Sequence, residues 1–290
     1  MSVPIADGPT TVLTLQQKKE RGERISMLTA YDFPSARVLD ETGVDALLVG
    51  DSLAMVVLGH ETTLSVTMDE MLHHARAVAR GARRALLVGD LPFLSYQADA
   101  AEAVRNAGRF LQAGMHAVKL EGGRDYADTV HAIVRAGVPV MGHVGLLPQS
   151  VRRLGGFRAQ GRTAEQAAAV LDDALALQAA GCFAIVIESV PARVAGAITE
   201  RLRIPTIGIG AGAATEGQVL VSHDLLGLSA RLPRFARRYA ALGDEIARAV
   251  ESWRGDVVSG SFPAPDESFS IADEEWGAFL AAIGPVVDRR

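Results

Sequence analysis

Short apolar runs recur along the chain, and most of the segments between them have the pattern of amphipathic helices. The runs are rich in valine, isoleucine and leucine without strict polar alternation, which is typical of parallel strands covered on both faces. Several helical segments end on a glycine just before the next run, as in the short αβ loops of repeating β-α units. The predicted strands are RISMLTAYD (24–32), DALLVGDS (45–52), ALLVGDLPF (85–93), HAVKLEGG (116–123), PVMGHVGL (139–146), FAIVIESV (183–190), PTIGIGAG (205–212) and, less clearly, QVLVSHDLLG (218–227).

This alternation predicts an α/β fold in which eight strands with right-handed crossovers close into a (βα)8 TIM barrel. A doubly wound open sheet is the structural alternative, because alternation alone does not distinguish the two. We expect an N-terminal segment with an extra helix in residues 1–23 and a catalytic barrel in residues 24–254. Its last outer helix should fall in residues 237–254, and residues 255–290 should form an irregular C-terminal extension rich in Pro, Ser and acidic residues.

The pentapeptide LLVGD occurs twice, in residues 47–51 and 86–90, and each copy is a predicted strand that stops at Gly-Asp. Active sites of barrels lie at the carboxyl ends of the strands, so ionisable residues at those ends are candidates for function. Lys119 should share a strand face with Glu121, because side chains two residues apart point the same way. Five consecutive predicted strands end in such a residue: Asp51, Asp90, Glu121, His143 and Glu188.

Carboxylates that converge on one cavity repel one another unless they take up protons or share a cation. Oxygen ligands from Asp51, Asp90 and Glu121, with no cysteine nearby, suit Mg²⁺ better than zinc. Taken singly, each aspartate is more often a helix cap or an Asx-turn, and a lysine near a glutamate is usually a salt bridge. Their recurrence on successive strand ends favours a catalytic metal site.

Composition excludes several classes of function. The net charge of −5 comes from interspersed signs, which argues against nucleic acid and anionic membranes as partners. The chain has a single cysteine, Cys182, no secretory signal and no apolar stretch of membrane-spanning length. We therefore expect a cytoplasmic protein that acts on small molecules.

Two further motifs have several interpretations. The glycines of IGIGAG (207–212) are spaced GxGxG and not GxGxxG, which indicates close backbone approach at a strand end, with an anionic ligand as one possible cause. The loop in residues 145–163 is glycine-rich and carries four arginines. A lid, a contact to an acidic ligand and an oligomer interface are all compatible with it.

Together these motifs resemble the ketopantoate hydroxymethyltransferase family. The similarity extends over roughly residues 25–240, and the blocks occur in the family's order. The blocks are TAYD (29–32), LLVGDSL (47–53), GHETT (59–63), GDLPF (89–93), VKLEGG (118–123), GHVGLLPQS (142–150), GGFRAQGR (155–162), IESVP (187–191) and IGIGAG (207–212).

The resemblance implies a (βα)8 barrel of the phosphoenolpyruvate/pyruvate-type superfamily. It implies transfer of a hydroxymethyl group from 5,10-methylenetetrahydrofolate to 3-methyl-2-oxobutanoate, giving 2-dehydropantoate in pantothenate biosynthesis. One Mg²⁺ per subunit and a homodecamer are also implied. The implied metal ligands are Asp51, Asp90 and Glu121, the implied substrate contacts are Asp51, Ser52, Asp90, Lys119 and His143, and the implied proton acceptor is Glu188.

Two other functions remain open from the sequence. One is a different Mg²⁺-dependent chemistry on a 2-oxo acid, such as that of a lyase or mutase of the same superfamily. Those enzymes commonly use a reactive cysteine, whereas Cys182 lies at the start of a predicted strand, away from the active-site rim. The other is a barrel that only binds or assembles, which the set of acids, lysine and histidine at the strand ends disfavours.

Overall fold

Eight parallel strands close into a barrel, and each strand pairs with its neighbours in chain order, β1 with β8 included. This closure confirms the barrel and excludes the open sheet. The computed structural model describes residues 8–284, so the first part of the expected N-terminal segment (1–7) and the end of the expected extension (285–290) lie outside the described residues. The strands are β1 Ile25–Thr29, β2 Ala46–Val49, β3 Leu86–Asp90, β4 Ala117–Lys119, β5 Val140–Gly145, β6 Ala184–Glu188, β7 Thr206–Ile209 and β8 Gly217–Leu220.

The helices begin and end largely where the sequence chemistry predicts. Thr67 and Glu70 form a capping box at the start of α4, and Thr163 caps α8. Gly181 ends α8 in the left-handed conformation that favours glycine. The helices are α1 Val12–Glu20, α2 Phe33–Glu41, α3 Leu53–Val56, α4 Met68–Gly81, α5 Ala100–Gln112, α6 Ala127–Arg135, α7 Val151–Leu154, α8 Ala164–Ala180, α9 Ala192–Arg201, α10 Ser222–Leu226, α11 Leu242–Ser259 and α12 Asp273–Ile283.

Helix α1 covers the amino-terminal end of the barrel. Its Leu15 is fully buried and joins the cluster of side chains that fills the barrel interior. Lys18 pairs with Asp45 just before β2, and Lys19 pairs with Glu216 just before β8. This end of the barrel is therefore closed, and the opposite end is left for a site.

The connection between β7 and β8 departs from strict β-α alternation, because residues 210–216 contain no helix. Gly210 and Gly212 of IGIGAG lie here and Gly208 lies in β7, and their close contacts are with other residues of the protein itself. A Cβ at Gly208 would come within 2.6 Å of Thr215 Oγ1, and one at Gly212 within 2.4 Å of Ala192 Cβ. Close backbone approach is confirmed, and packing alone accounts for it without an anionic ligand.

The described residues fall into two compact units that divide between Ala240 and Ala241. The first unit contains the barrel. In the second unit, the helix expected over residues 237–254 spans Leu242–Ser259. The prediction that the following stretch is irregular is wrong, because it contains the 3-10 turn Pro265–Glu267 and helix Asp273–Ile283. Within the described part of the chain, no helix is long and apolar enough to cross a membrane.

The glycine of the second LLVGD copy is required by packing. Gly89 and Asp90 point to opposite faces of β3, so Gly89 faces the helix layer while Asp90 faces the barrel axis. A Cβ on Gly89 would come within 2.4 Å of the ring of Phe110, which is fully buried on α5. The end of β3 therefore requires a glycine on the face that packs against the helices and carries an aspartate on the face towards the barrel axis.

We expect Gly89→Ala to lower the free energy of unfolding by about 1–3 kcal/mol, because the ring of Phe110 must shift in a packed layer. Gly108→Ala is the matched control, since Gly108 lies in α5 with open space around its Cα, and it should stabilise by roughly 0.4–1 kcal/mol. Urea unfolding followed by circular dichroism measures both. Equal stability of Gly89→Ala and the native protein would contradict this packing argument.

Candidate active site

The carboxyl ends of the strands open into a cavity of about 970 Å³. Asp90, Lys119 and Glu188 are the last residues of β3, β4 and β6, and His143 lies within β5. Asp51 follows β2 closely, and Glu121 lies two residues beyond β4. The residues selected from the sequence all line this one cavity: Asp51, Ser52, Asp90, Lys119, Glu121, His143 and Glu188.

A buried ion pair lies at the centre of this group. Lys119 Nζ donates to Asp90 Oδ1 at 2.7 Å, and the two side chains are 5% and 2% exposed. Burial alone would lower the pKa of Lys119, but the charges of Asp90 and the neighbouring carboxylates outweigh it and raise that pKa. Lys119 therefore stays protonated and places a positive charge among these acids.

Gln149 holds two of the acids in place, and our sequence analysis did not select it. It lies in the 3-10 turn Pro148–Ser150 and is 5% exposed. Its Nε2 donates to Asp51 Oδ2 and to the carbonyl of Leu91, both at 2.9 Å. Its backbone N–H donates to Glu121 Oε2, also at 2.9 Å. One residue thus fixes one oxygen of each carboxylate.

Two further side chains fix Gln149 itself. The hydroxyl of Tyr96 donates to Gln149 Oε1 at 2.9 Å, and Gln97 Nε2 donates to the same oxygen at 3.0 Å. The backbone N–H of Glu121 in turn donates to the Tyr96 hydroxyl at 3.1 Å. These residues form a connected network that orients the acids.

Ser52 has a comparable partner in Tyr31. The hydroxyls of the two residues lie 2.9 Å apart, and Tyr31 is 2% exposed. Tyr31 lies within the TAYD block, but no spacing rule identifies it as the partner of Ser52. The contact fixes where the Ser52 hydroxyl stands in the cavity.

Burial and mutual repulsion raise the pKa of three carboxyl groups in the cavity. Burial, followed by the charge of Asp90, raises the pKa of Asp51 to about 7. Burial and the charge of Asp51 raise the pKa of Glu121 well above its ordinary value. Burial also raises the pKa of Glu188 to about 7. These groups therefore gain from either a proton or a cation.

His143 lies between two of these acids without pairing to either. Its Nδ1 is 3.7 Å from Glu121 Oε1, and its Nε2 is 3.3 Å from Glu188 Oε2, but neither ring nitrogen has a hydrogen-bond partner among the described residues. Burial, together with the charge of Lys119, holds the pKa of His143 well below its ordinary value. The imidazole is neutral, so these short distances are not salt bridges.

The donor atoms of this group have the chemistry that a hard divalent cation prefers. Gln149 engages only one oxygen of Asp51 and one of Glu121, and Glu121 Oε1 is buried without a hydrogen-bond partner. In the described residues, no three His, Cys, Asp or Glu side chains form a ready-made metal cluster. The acids are nevertheless neighbours, since the backbone N–H of Asp51 donates to Asp90 Oδ2 at 3.2 Å. Oxygen atoms of this kind are the ligands that Mg²⁺ prefers.

The loop of residues 145–163 forms part of the cavity wall. It contributes Leu146, Pro148, Phe157 and Ala159, whereas none of its four arginines lines this cavity. A lid, a contact to an acidic ligand and an oligomer interface all stay predictions for this loop.

Cys182 is not part of the cavity wall. It precedes β6 and is 3% exposed, and burial raises the pKa of its thiol to about 12. A thiol of this kind is inert. The lyase or mutase chemistry that depends on a reactive cysteine therefore lacks its nucleophile here.

Comparisons with known proteins give consistent matches over most of the chain. A model of the ketopantoate hydroxymethyltransferase family matches residues 9–265. The 3-methyl-2-oxobutanoate hydroxymethyltransferase of Chloroflexus aggregans is 57% identical over 276 residues, covering 94% of this chain and 98% of the relative. The enzyme of the same name from Nitratidesulfovibrio vulgaris strain Hildenborough is 54% identical over 277 residues, covering 95% and 90%.

Solved structures share the fold at low identity. Phosphonopyruvate hydrolase in complex with oxalate and Mg²⁺ has a TM-score of 0.61 at 13% identity, covering 94% of this chain and 98% of that one. The 2,3-dimethylmalate lyase, a member of the PEP mutase/isocitrate lyase superfamily, has a TM-score of 0.58 at 17% identity, covering 97% of both chains. At these identities the likeness concerns the barrel and not its chemistry.

Proposed function

Because the chain belongs to the ketopantoate hydroxymethyltransferase family, we propose that it transfers a hydroxymethyl group from 5,10-methylenetetrahydrofolate to 3-methyl-2-oxobutanoate. The product is 2-dehydropantoate, a precursor in pantothenate biosynthesis. The family match and the relatives above support the reaction. The observation that carries the mechanism is the Glu188 carboxyl, which is 15% exposed, lines the same cavity as Lys119 and has a pKa raised to about 7.

Asp51, Asp90 and Glu121 are the proposed ligands of one Mg²⁺ per subunit. When bound, the cation would draw electron density from the keto oxygen of the substrate and so acidify the hydrogen at C3. The unpartnered Glu121 Oε1 and the raised pKa values of Asp51 and Glu121 support this assignment.

Lys119 and Ser52 are the proposed contacts to the keto acid. Lys119 remains charged in the buried cavity, so its ammonium can attract the substrate carboxylate, and the Ser52 hydroxyl can donate to it. Asp51 and Asp90 adjoin the same position, and the neutral His143 forms the wall beside Glu188. These contacts orient C3 of the acid.

Glu188 is the proposed base that removes the C3 proton. Its carboxylate makes no side-chain hydrogen bond within the described residues, whereas Asp90 is paired with Lys119 and Asp51 with Gln149. It is thus the acid least committed to another partner. The C3 electron pair then bonds to the folate methylene carbon as the first of its two methylene–nitrogen bonds breaks towards nitrogen. Water displaces the second nitrogen and supplies the hydroxyl, and the C3 proton and one proton of the water end on the two nitrogens.

We expect Glu188→Gln to abolish hydrogen–deuterium exchange at C3 of 3-methyl-2-oxobutanoate, because an amide cannot accept the proton. In the native enzyme the exchange rate should rise about tenfold per pH unit and level off above about 7, since only the ionised Glu188 acts as a base. Proton NMR in D₂O with Mg²⁺ present measures both, and enzyme stripped of metal should not exchange.

Glu165→Gln is the matched control for this experiment, since Glu165 is exposed in the first turn of α8 and lies outside the cavity. It should exchange at the native rate. Full exchange by Glu188→Gln would remove the assignment of the base. Exchange that persists after exhaustive chelation would remove the role of the cation.

We also expect Gln149→Leu to weaken Mn²⁺ binding by about tenfold to a hundredfold, as is typical when a residue that orients metal ligands is lost. The variant removes the donor to Asp51 but keeps the backbone donor to Glu121. Titration of free Mn²⁺ by electron paramagnetic resonance measures this affinity without an activity assay. Gln97→Leu, which touches Gln149 but neither acid, should change the affinity less. An unchanged affinity in Gln149→Leu would contradict its positioning role.

A homo-oligomer, decameric as the family resemblance implies, is also proposed. The support is the apolar face of α11, where Ile246, Val250 and Trp253 are 50%, 54% and 54% exposed. Contiguous exposed apolar side chains mark contact surfaces. The cytosol is the proposed location, and the single buried cysteine is compatible with it.

We expect Trp253→Glu to lower the mass measured by sedimentation velocity, because a charge would have to be buried in the contact. Ser252→Glu is the control, since Ser252 lies one residue away and off the apolar face. It should keep the native mass. A native protein that sediments as a monomer of 30.6 kDa would contradict the proposed oligomer.

A further inference from the structure

The buried side-chain nitrogen and oxygen atoms that lack hydrogen-bond partners among the described residues all belong to residues that line the cavity. In residues 8–284 they are Thr63 Oγ1, Glu121 Oε1, His143 Nδ1 and Nε2, His223 Nδ1 and Ser229 Oγ. Proteins pair nearly all buried polar atoms, so an unpaired set around one cavity indicates ligands that complete it. Glu121 and His143 belong to the centre already described. Thr63, His223 and Ser229 have no role there.

Of these three residues, His223 is linked to Ser52 through Tyr31, and all three line the same cavity as Ser52. The Tyr31 hydroxyl contacts Ser52 at 2.9 Å, and the Tyr31 ring lies 5.3 Å from the ring of His223. Thr63 begins a 3-10 turn in the connection after β2, and Ser229 follows α10 closely. Through Tyr31, His223 of the second set therefore adjoins the proposed keto-acid contact Ser52.

Apolar side chains surround this second set. Leu228, Leu232 and Phe235 line the cavity and are 38%, 38% and 41% exposed. Phe235 packs over Gly210, where a Cβ would come within 2.9 Å of the ring. A cavity of about 970 Å³ is at the upper end of the range for sites that bind drug-sized molecules, and a five-carbon acid does not fill it. The walls suit a large ligand with flat apolar faces.

Two arginines alternate with these apolar residues along the chain. Arg231 and Arg234 both line the cavity, both are exposed, and neither makes a hydrogen bond or ion pair to another described residue. Guanidinium groups recognise carboxylates through paired hydrogen bonds. The outer part of the cavity therefore favours an anionic end on the same ligand.

We propose that this outer chamber, formed by Thr63, His223, Ser229, Phe235, Arg231 and Arg234, binds the folate co-substrate. The bicyclic ring, with polar atoms along its edge, meets the unpaired atoms of Thr63, His223 and Ser229, next to the keto acid. The glutamate tail extends to Arg231 and Arg234. The assignment rests on the proposed function, which names the co-substrate but none of the residues that hold it.

The first test separates the tail from the ring. In Arg231→Gln/Arg234→Gln, the KM for 5,10-methylenetetrahydrofolate should rise about tenfold, as expected for lost hydrogen bonds between charged groups. The KM for 5,10-methylenetetrahydropteroate, which lacks the glutamate, should stay at the native value. Arg238→Gln is the control, since Arg238 is exposed on the same segment but does not line the cavity. Equal KM values for the folate in the double variant and the control would overturn the tail assignment.

The second test concerns the ring. Thr63→Val keeps the shape of the side chain and removes a buried hydroxyl without a partner, so the melting temperature should not fall. The KM for both donors should rise severalfold, because the ring loses a hydrogen bond whether or not the tail is present. A lower melting temperature with unchanged KM values would mean that Thr63 has only a structural role, and would overturn the ring assignment.

Exchange at C3 of the keto acid without folate distinguishes failure of the chamber assignment from failure of the proposed reaction. If the native enzyme exchanges C3 while the chamber variants leave both KM values unchanged, the chamber assignment is wrong and the proposed reaction stands. If the native enzyme shows neither exchange nor transfer, the proposed reaction is wrong, and the assignment of the chamber to folate fails with it.

Discussion

The burial of several carboxylates around one lysine is the constraint on which the site depends. Lys119 and Asp90 neutralise each other at 2.7 Å, but Asp51, Glu121 and Glu188 share the same cavity without a cation of their own. Burial raises the pKa of each of them. Gln149 stabilises the ionised forms of Asp51 and Glu121 by hydrogen bonds, and a divalent cation would balance what remains. Glu188 receives no hydrogen bond from Gln149 and is not a proposed ligand of the cation, and its raised pKa makes it suitable as a base.

The barrel and the positions of its acids could be predicted because both follow from local pattern. Apolar runs that end in Gly-Asp, at Asp51 and Asp90, mark strand ends, and in a closed parallel barrel all strand ends of one kind meet at one rim. Alternation of side chains within β3 explains why Gly89 faces α5 while Asp90 faces the cavity. Charge at a strand end therefore identifies a rim residue before any contact is known.

The residues that orient these acids could not be predicted, because their roles arise only from tertiary contacts. Gln149 is a polar residue in a loop, and nothing in its spacing indicates that it bridges Asp51 and Glu121. Tyr31 and Tyr96 look like ordinary aromatic residues until their hydroxyls are seen to contact Ser52 and Gln149. The second unit was also mispredicted in part, since Pro- and Ser-rich composition obscured helix Asp273–Ile283.

The irregular end of the barrel and the outer chamber have a common origin. No helix joins β7 to β8, and the helix after β8, Ser222–Leu226, has only 5 residues. Elsewhere a longer helix would carry the chain away from the rim, but here residues 228–235 stay beside the cavity and supply part of its wall. On the proposed assignments, loss of regular β-α alternation at this point gives the keto acid and the much larger donor adjoining places at one rim. The rest of the barrel holds the charged groups that are proposed to act on the acid.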